Sequence, residues 1–150
     1  MGLFSRSEPK FPELVPVPAI ADLPTPKLQS AARYLGTLTA EGSRVTGQSM
    51  AAKSSSRLHL SAEALDVVRM AGSFRIPVSA MRGATTAGEF AGRPVEALLV
   101  VRWEHGEQEW RTGFRLEAGR QSKKTKTADT TASAPDEWVR TISKMSRGNR

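Results

Sequence analysis

From Tyr34 onward, short apolar runs alternate with turn-forming residues. The first run is "YLGTLT". In "RLHLS", Leu58 and Leu60 fall on one face while Arg57, His59 and Ser61 fall on the other, the period-two spacing of a half-buried strand. "ALDVVRM" follows through a tight Ser61–Glu63 turn, and "FRIPV" comes next. Pro77 cannot donate to a ladder, so this run belongs at a sheet edge or a strand end. "MRGATTA" predicts another short strand before the Gly-rich "GEFAGRP". The polar "AEGSRVTGQSMAAKSSS" connects the first two strands, with a helical turn expected around Met50 to Lys53.

The run from Val95 to Leu116 predicts one long hairpin. With His105-Gly106 as a two-residue loop, paired residues have numbers that sum to 211. Val101 then meets Trp110, Trp103 meets Gln108, and the two tryptophans become diagonal neighbours on an apolar face. On the other face Arg102 meets Glu109 and Glu96 meets Arg115, while Glu104 faces Glu107 at the mouth of the turn. A slip of one residue destroys both patterns. His105 therefore reads as a turn histidine rather than a ligand or general base, because a metal needs three or four converging groups.

Both ends of the chain have a different texture. Six of the nine prolines lie between Pro9 and Pro26, which predicts an extended, flexible segment over residues 1–33. "AGRQSKKTKTADTTASA" is polar and predicts a mobile basic loop over about 118–133. "SAPDEWVRTISKM" predicts a terminal helix, capped by Ser133 with Asp136, with Pro135 in its first turn and Trp138, Val139, Ile142 and Met145 on or beside one face. Many antiparallel strands followed by one amphipathic helix define an α+β class with a small barrel or sandwich.

Charge then narrows the functional classes. The chain has 150 residues and a net charge of +7. Residues 1–33 carry four basic and three acidic side chains, residues 34–117 ten and nine, and residues 118–150 eight and three. The basic excess is therefore expected in the tail rather than across a nucleic-acid recognition face. There is no cysteine, which excludes disulfides and thiolate metal sites. The longest apolar run, Ala97 to Val101, is far short of the roughly 20 residues that span a bilayer.

No catalytic constellation emerges. "GATTAGEF" spaces its glycines like a phosphate loop but continues with Glu89 where a lysine is required. "GQSMA" lacks the second glycine of a nucleophile elbow. The candidates for contacting an anion or a lipid surface are Lys123, Lys124 and Lys126, with Arg57 and His59 on the polar face of their strand. No metal site and no cofactor are expected.

Together, "YLGTLTA", "RLHLSAEAL", "FRIPVSAMRGATTA", "LLVVRWEHGEQEWRTGFRL" and "DEWVRTI" resemble the pleckstrin-homology-like (PH-like) domain of small actinobacterial proteins, which are usually described as membrane or export proteins. The similarity runs from about Tyr34 to Met145. It implies a bent antiparallel β-barrel of about seven strands over residues 34–146, capped by the C-terminal helix, with residues 147–150 as a tail. Relatives often carry a transmembrane segment ahead of the domain, where this chain has prolines, and Ala64 stands where a turn glycine is usual. The family has no established enzymatic activity. The expectation is a non-enzymatic binding or scaffolding module on the cytoplasmic side, acting on a protein partner or peripherally on an acidic membrane surface. Nucleic-acid binding through the basic tail is the alternative.

Overall fold

The structure, a computed structural model, describes residues 14–18, 23–45, 53–70, 72–86, 88–117 and 128–147. Nine strands run in chain order: β1 (Leu28–Thr39), β2 (Ser54–Leu60), β3 (Ala64–Arg69), β4 (Phe74–Pro77), β5 (Met81–Thr85), β6 (Glu89–Phe90), β7 (Arg93–Pro94), β8 (Leu98–His105) and β9 (Gln108–Leu116). One helix, α1 (Ala128–Met145), follows among the described residues. Seven strands form one antiparallel sheet in the order β4-β3-β2-β1-β9-β8-β5, and β6 pairs with β7 alone. Pro77 does sit on an edge strand.

The sheet curls without closing. β4 and β8 are separated in hydrogen-bonding order by β3, β2, β1 and β9. Even so, the rings of Phe74 and Trp103 stack with centroids 6.0 Å apart, and Tyr34 meets Phe74 edge-on at 6.2 Å. Only a strongly bent sheet brings those rings together. The bending coincides with register shifts at Tyr34/Gly36 and Met81/Gly83, where the glycines take φ of 135° and 142°. β4 and β5 end as two edges joined through a 3-10 turn at Val78–Ala80. The expected barrel is thus a curled open sheet, because the chain leaves one edge and starts the other without pairing them.

Trp138 and Ile142 of α1 join the same buried cluster as Tyr34, Phe74, Trp103, Trp110 and Phe114, with Val139 and Met145 packed against it. The predicted apolar helix face is borne out, and it covers the β5–β8 side of the core. The helix starts earlier than the Ser133 cap, at Ala128, and it cuts into the loop expected over 118–133. Pro135 lies inside it. It stands at the eighth of 18 positions, where its missing N–H breaks one backbone bond and its ring crowds the carbonyl four residues back, so the first-turn reading of this proline does not hold.

Two other boundaries move. β1 begins at Leu28 rather than Tyr34, and Leu28 to Tyr34 pair with Leu60 to Ser54. The inward positions there, Ser30 and Ala32, are small, so their alternation carries little hydrophobic signal. β2 likewise starts at Ser54, with Ser56 donating to the Ala32 carbonyl. The expected turn around Met50 lies outside the described residues.

From Leu98 onward the hairpin keeps its predicted faces but slips by two residues, so that paired numbers sum to 213; Val95 lies ahead of the ladder and packs with Leu98 and Val100 instead of Leu99. Trp103 stands opposite Trp110, with centroids 5.3 Å apart at 85°. The turn residues are Gly106 and Glu107, with φ of 61° and 69°, as a type I′ loop requires. His105 is not at the tip. It closes β8 and packs its ring on Trp103 and Trp110 at 5.6 and 5.1 Å. Glu104 faces Glu109 instead of Glu107, and it is neutralised by an ion pair with Arg82.

Candidate binding surface

The described portion has no group of three histidine or acidic side chains placed to hold a metal ion. No described helix is long and apolar enough to cross a membrane. Chemistry concentrates instead on the outer face of the β1-β9-β8-β5 half of the sheet.

There a second apolar cluster forms from Phe90, Leu98 and Val100, with Leu35, Leu38 and Val95 against it. Phe90 is delivered by the small hairpin of β6 and β7, whose turn places Ala91 and Gly92 at φ of 52° and 82°. Its ring lies against Gly113: a Cβ there would come within 2.8 Å of the ring carbons. A glycine in the middle of β9 thus makes the seat for a flap that the sequence presents only as a Gly-rich stretch.

The flap divides the face into two clefts. One, of about 170 Å³, is lined by Arg44, Lys53 and Arg93 around Leu35, Phe90, Pro94 and Val95. No carboxylate lines it, and none of the three cations makes an ion pair among the described residues. Its volume is below the 300–1,000 Å³ typical of small-molecule pockets, which suits a head group or side chain rather than an enclosed metabolite. The other cleft, of about 480 Å³, runs past Leu38, Val100, Glu89, Arg102 and Arg111. Arg102 and Arg111 are cross-strand partners of like charge, and they share one carboxylate, Glu109, at 3.7 and 3.4 Å.

The acidic residues of the body are mostly committed elsewhere. Asp66 is fully buried and takes a two-pronged ion pair from Arg75 at 2.7 and 3.1 Å. That hydrogen bond holds the Arg75 guanidinium above its ordinary pKa. Glu117 pairs with Arg115 at 3.2 Å. A body that is nearly neutral in total therefore leaves a positive cleft with no carboxylate partner among the described residues, which counting charges by segment cannot show.

The residues expected to make contacts are scattered. Arg57 is exposed on β2, and His59 is half-buried, its Nε2–H donating to the Pro24 carbonyl at 2.7 Å. Neither lines the two clefts. Lys123, Lys124 and Lys126 lie outside the described residues. Arg44, Lys53 and Arg93 escape sequence reasoning because they lie far apart in the chain and meet only when the β6–β7 hairpin folds over β1.

A comparison with curated proteins finds no match. A family model described as "Bacterial PH domain-like" matches residues 11–132, from the proline-rich segment into the first turns of α1. With that match over most of the chain, and a bent seven-stranded antiparallel sheet followed by one helix, the chain belongs to the bacterial PH domain-like family.

Proposed function

We propose that the chain is a non-enzymatic binding module that docks peripherally on an acidic membrane surface at the cytoplasmic face. The observation that carries this reading is the cleft of Arg44, Lys53 and Arg93, where three cations line one cleft beside an apolar wall with no carboxylate among the described lining residues. Cationic side chains near an anionic surface each contribute about 1 kcal/mol, and the wall suits the boundary between head groups and acyl chains. PH-like domains are in general binding modules. Lys123, Lys124 and Lys126 would add to the same attraction.

Co-sedimentation with phosphatidylglycerol vesicles at about 0.15 M salt tests the proposal, with phosphatidylcholine vesicles as the control. The expected outcome is retention on the acidic vesicles alone. Arg44→Glu combined with Arg93→Glu should lower it at least tenfold, and alanine at Lys123, Lys124 and Lys126 should lower it further. Absence of retention by the unaltered chain defeats the reading. Retention of oligonucleotides with a steep salt slope would support the tail-mediated alternative instead.

A further inference from the structure

The proline-rich segment is attached to the sheet at its open edge. Val15 forms an antiparallel bridge with Arg75 of β4, and the Arg75 N–H donates to the Val15 carbonyl at 2.9 Å. Leu14 packs against the main core, while Val15 itself is exposed. Further along, the Pro24 carbonyl takes the His59 Nε2–H bond, and the Lys27 N–H donates to the Leu60 carbonyl at 2.6 Å. From there the chain enters β1.

The edge it covers offers a single main-chain donor. Alternate residues of an edge strand aim their main-chain groups outward, and in β4 these are Arg75 and Pro77. Pro77 has no N–H, so Arg75 supplies the sole outward donor of β4. Its side chain is clamped to the buried Asp66 on the neighbouring strand, which holds that donor in place. On the segment, Pro16 and Pro18 flank Val17. Without N–H groups they cannot template a further strand. The recognition unit is therefore an apolar anchor, one carbonyl and a proline spacing.

We propose that the β4 edge is a strand-docking site for extended, proline-spaced apolar segments, and that Leu14–Val17 occupy it as an internal ligand. A tethered segment competes at an effective concentration in the millimolar range, so a short main-chain bridge and one apolar anchor keep the site filled. A partner segment of the same chemistry gains access only when the tether is loosened. This inference stands apart from the anion reading, since it uses the opposite half of the sheet.

The test uses the full chain and a labelled peptide with the sequence of Glu13–Pro18. Amide exchange at Arg75 should be slowed in the unaltered chain and fast in Leu14→Asp. Peptide binding by anisotropy should be at least tenfold tighter to Leu14→Asp than to the unaltered chain, with Leu14→Ala in between. Added peptide should slow the Arg75 amide again, and a peptide carrying the same aspartate should not bind. The proposal falls if the Arg75 amide exchanges freely in the unaltered chain or stays protected in Leu14→Asp. It also falls if the variant exposes that amide and binds the peptide no better.

Discussion

At the scale of single residues, a buried hydrogen-bond chain ties the hairpin to β1. Trp103 Nε1–H donates to Thr112 Oγ1 at 2.9 Å, Thr112 and Thr37 share a bond at 2.9 Å, and Thr37 and Tyr34 share one at 2.7 Å. Trp103, Thr112, Thr37 and Tyr34 are essentially inaccessible. Thr112→Val keeps the shape and removes the hinge of this chain, leaving the indole N–H without its acceptor. A buried donor stripped of its partner costs about 1–3 kcal/mol. Urea denaturation should show that loss, and Ser at the same position should recover most of it. The faces of the hairpin were legible from alternation, but its register was not. A slip of two residues keeps every side chain on its face, so alternation cannot distinguish sums of 211 and 213. Either two-residue turn needs two residues at positive φ, so the choice falls to packing, above all the close pairing of Trp103 with Trp110.

At the scale of elements, the β6–β7 flap depends on a vacancy in β9. Gly113→Ala would place a methyl inside the Phe90 ring position, and overpacking of this kind costs about 1–3 kcal/mol. Phe90→Ala should also destabilise by losing its packing on Leu98 and Val100. The double variant should cost less than the two separate losses together, because the small side chain relieves the clash that the methyl creates. Additivity in a denaturation cycle would show that the ring and the glycine do not act as a unit. The flap was only partly visible in the sequence. Two-residue strands lack any period, and "GEFAGRP" carries one apolar residue among turn formers. By contrast, α1 was legible because Trp138 and Ile142 repeat at helical spacing. Its start was not: Pro135 read as a first-turn residue because proline is unfavourable deeper in a helix, yet seven helical residues precede it.

At the scale of the whole molecule, the two halves of the curled sheet meet at Tyr34, the chain's single tyrosine. Its ring touches Phe74 from one half and Phe114 from the other, at 6.2 and 5.9 Å, and the Arg69 guanidinium lies 4.4 Å above it. The spacing of apolar residues carries none of this long-range closure, because it defines faces and not which distant strands fold together; the bend was implied only by the family resemblance. Burial raises the Tyr34 pKa above 10.0; the hydrogen bond with Thr37 and the charges of Arg69 and Arg44 oppose that rise without cancelling it. The unfolded chain therefore releases the phenolic proton before the folded chain does. Stability from this group is fully present below pH 10 and falls as pH rises from there through the folded pKa, by at most about 1.4 kcal/mol per pH unit. Tyr34→Phe should be less stable than the unaltered chain at pH 8 by about 1 kcal/mol, the worth of one buried hydrogen bond. That gap should narrow in urea titrations between pH 10 and about 11. Phenolate absorbance should rise together with loss of the fold and not ahead of it. A gap that stays constant across this range would mean that Tyr34 ionises equally well in the folded and unfolded chain, and that the junction between the halves is open to water.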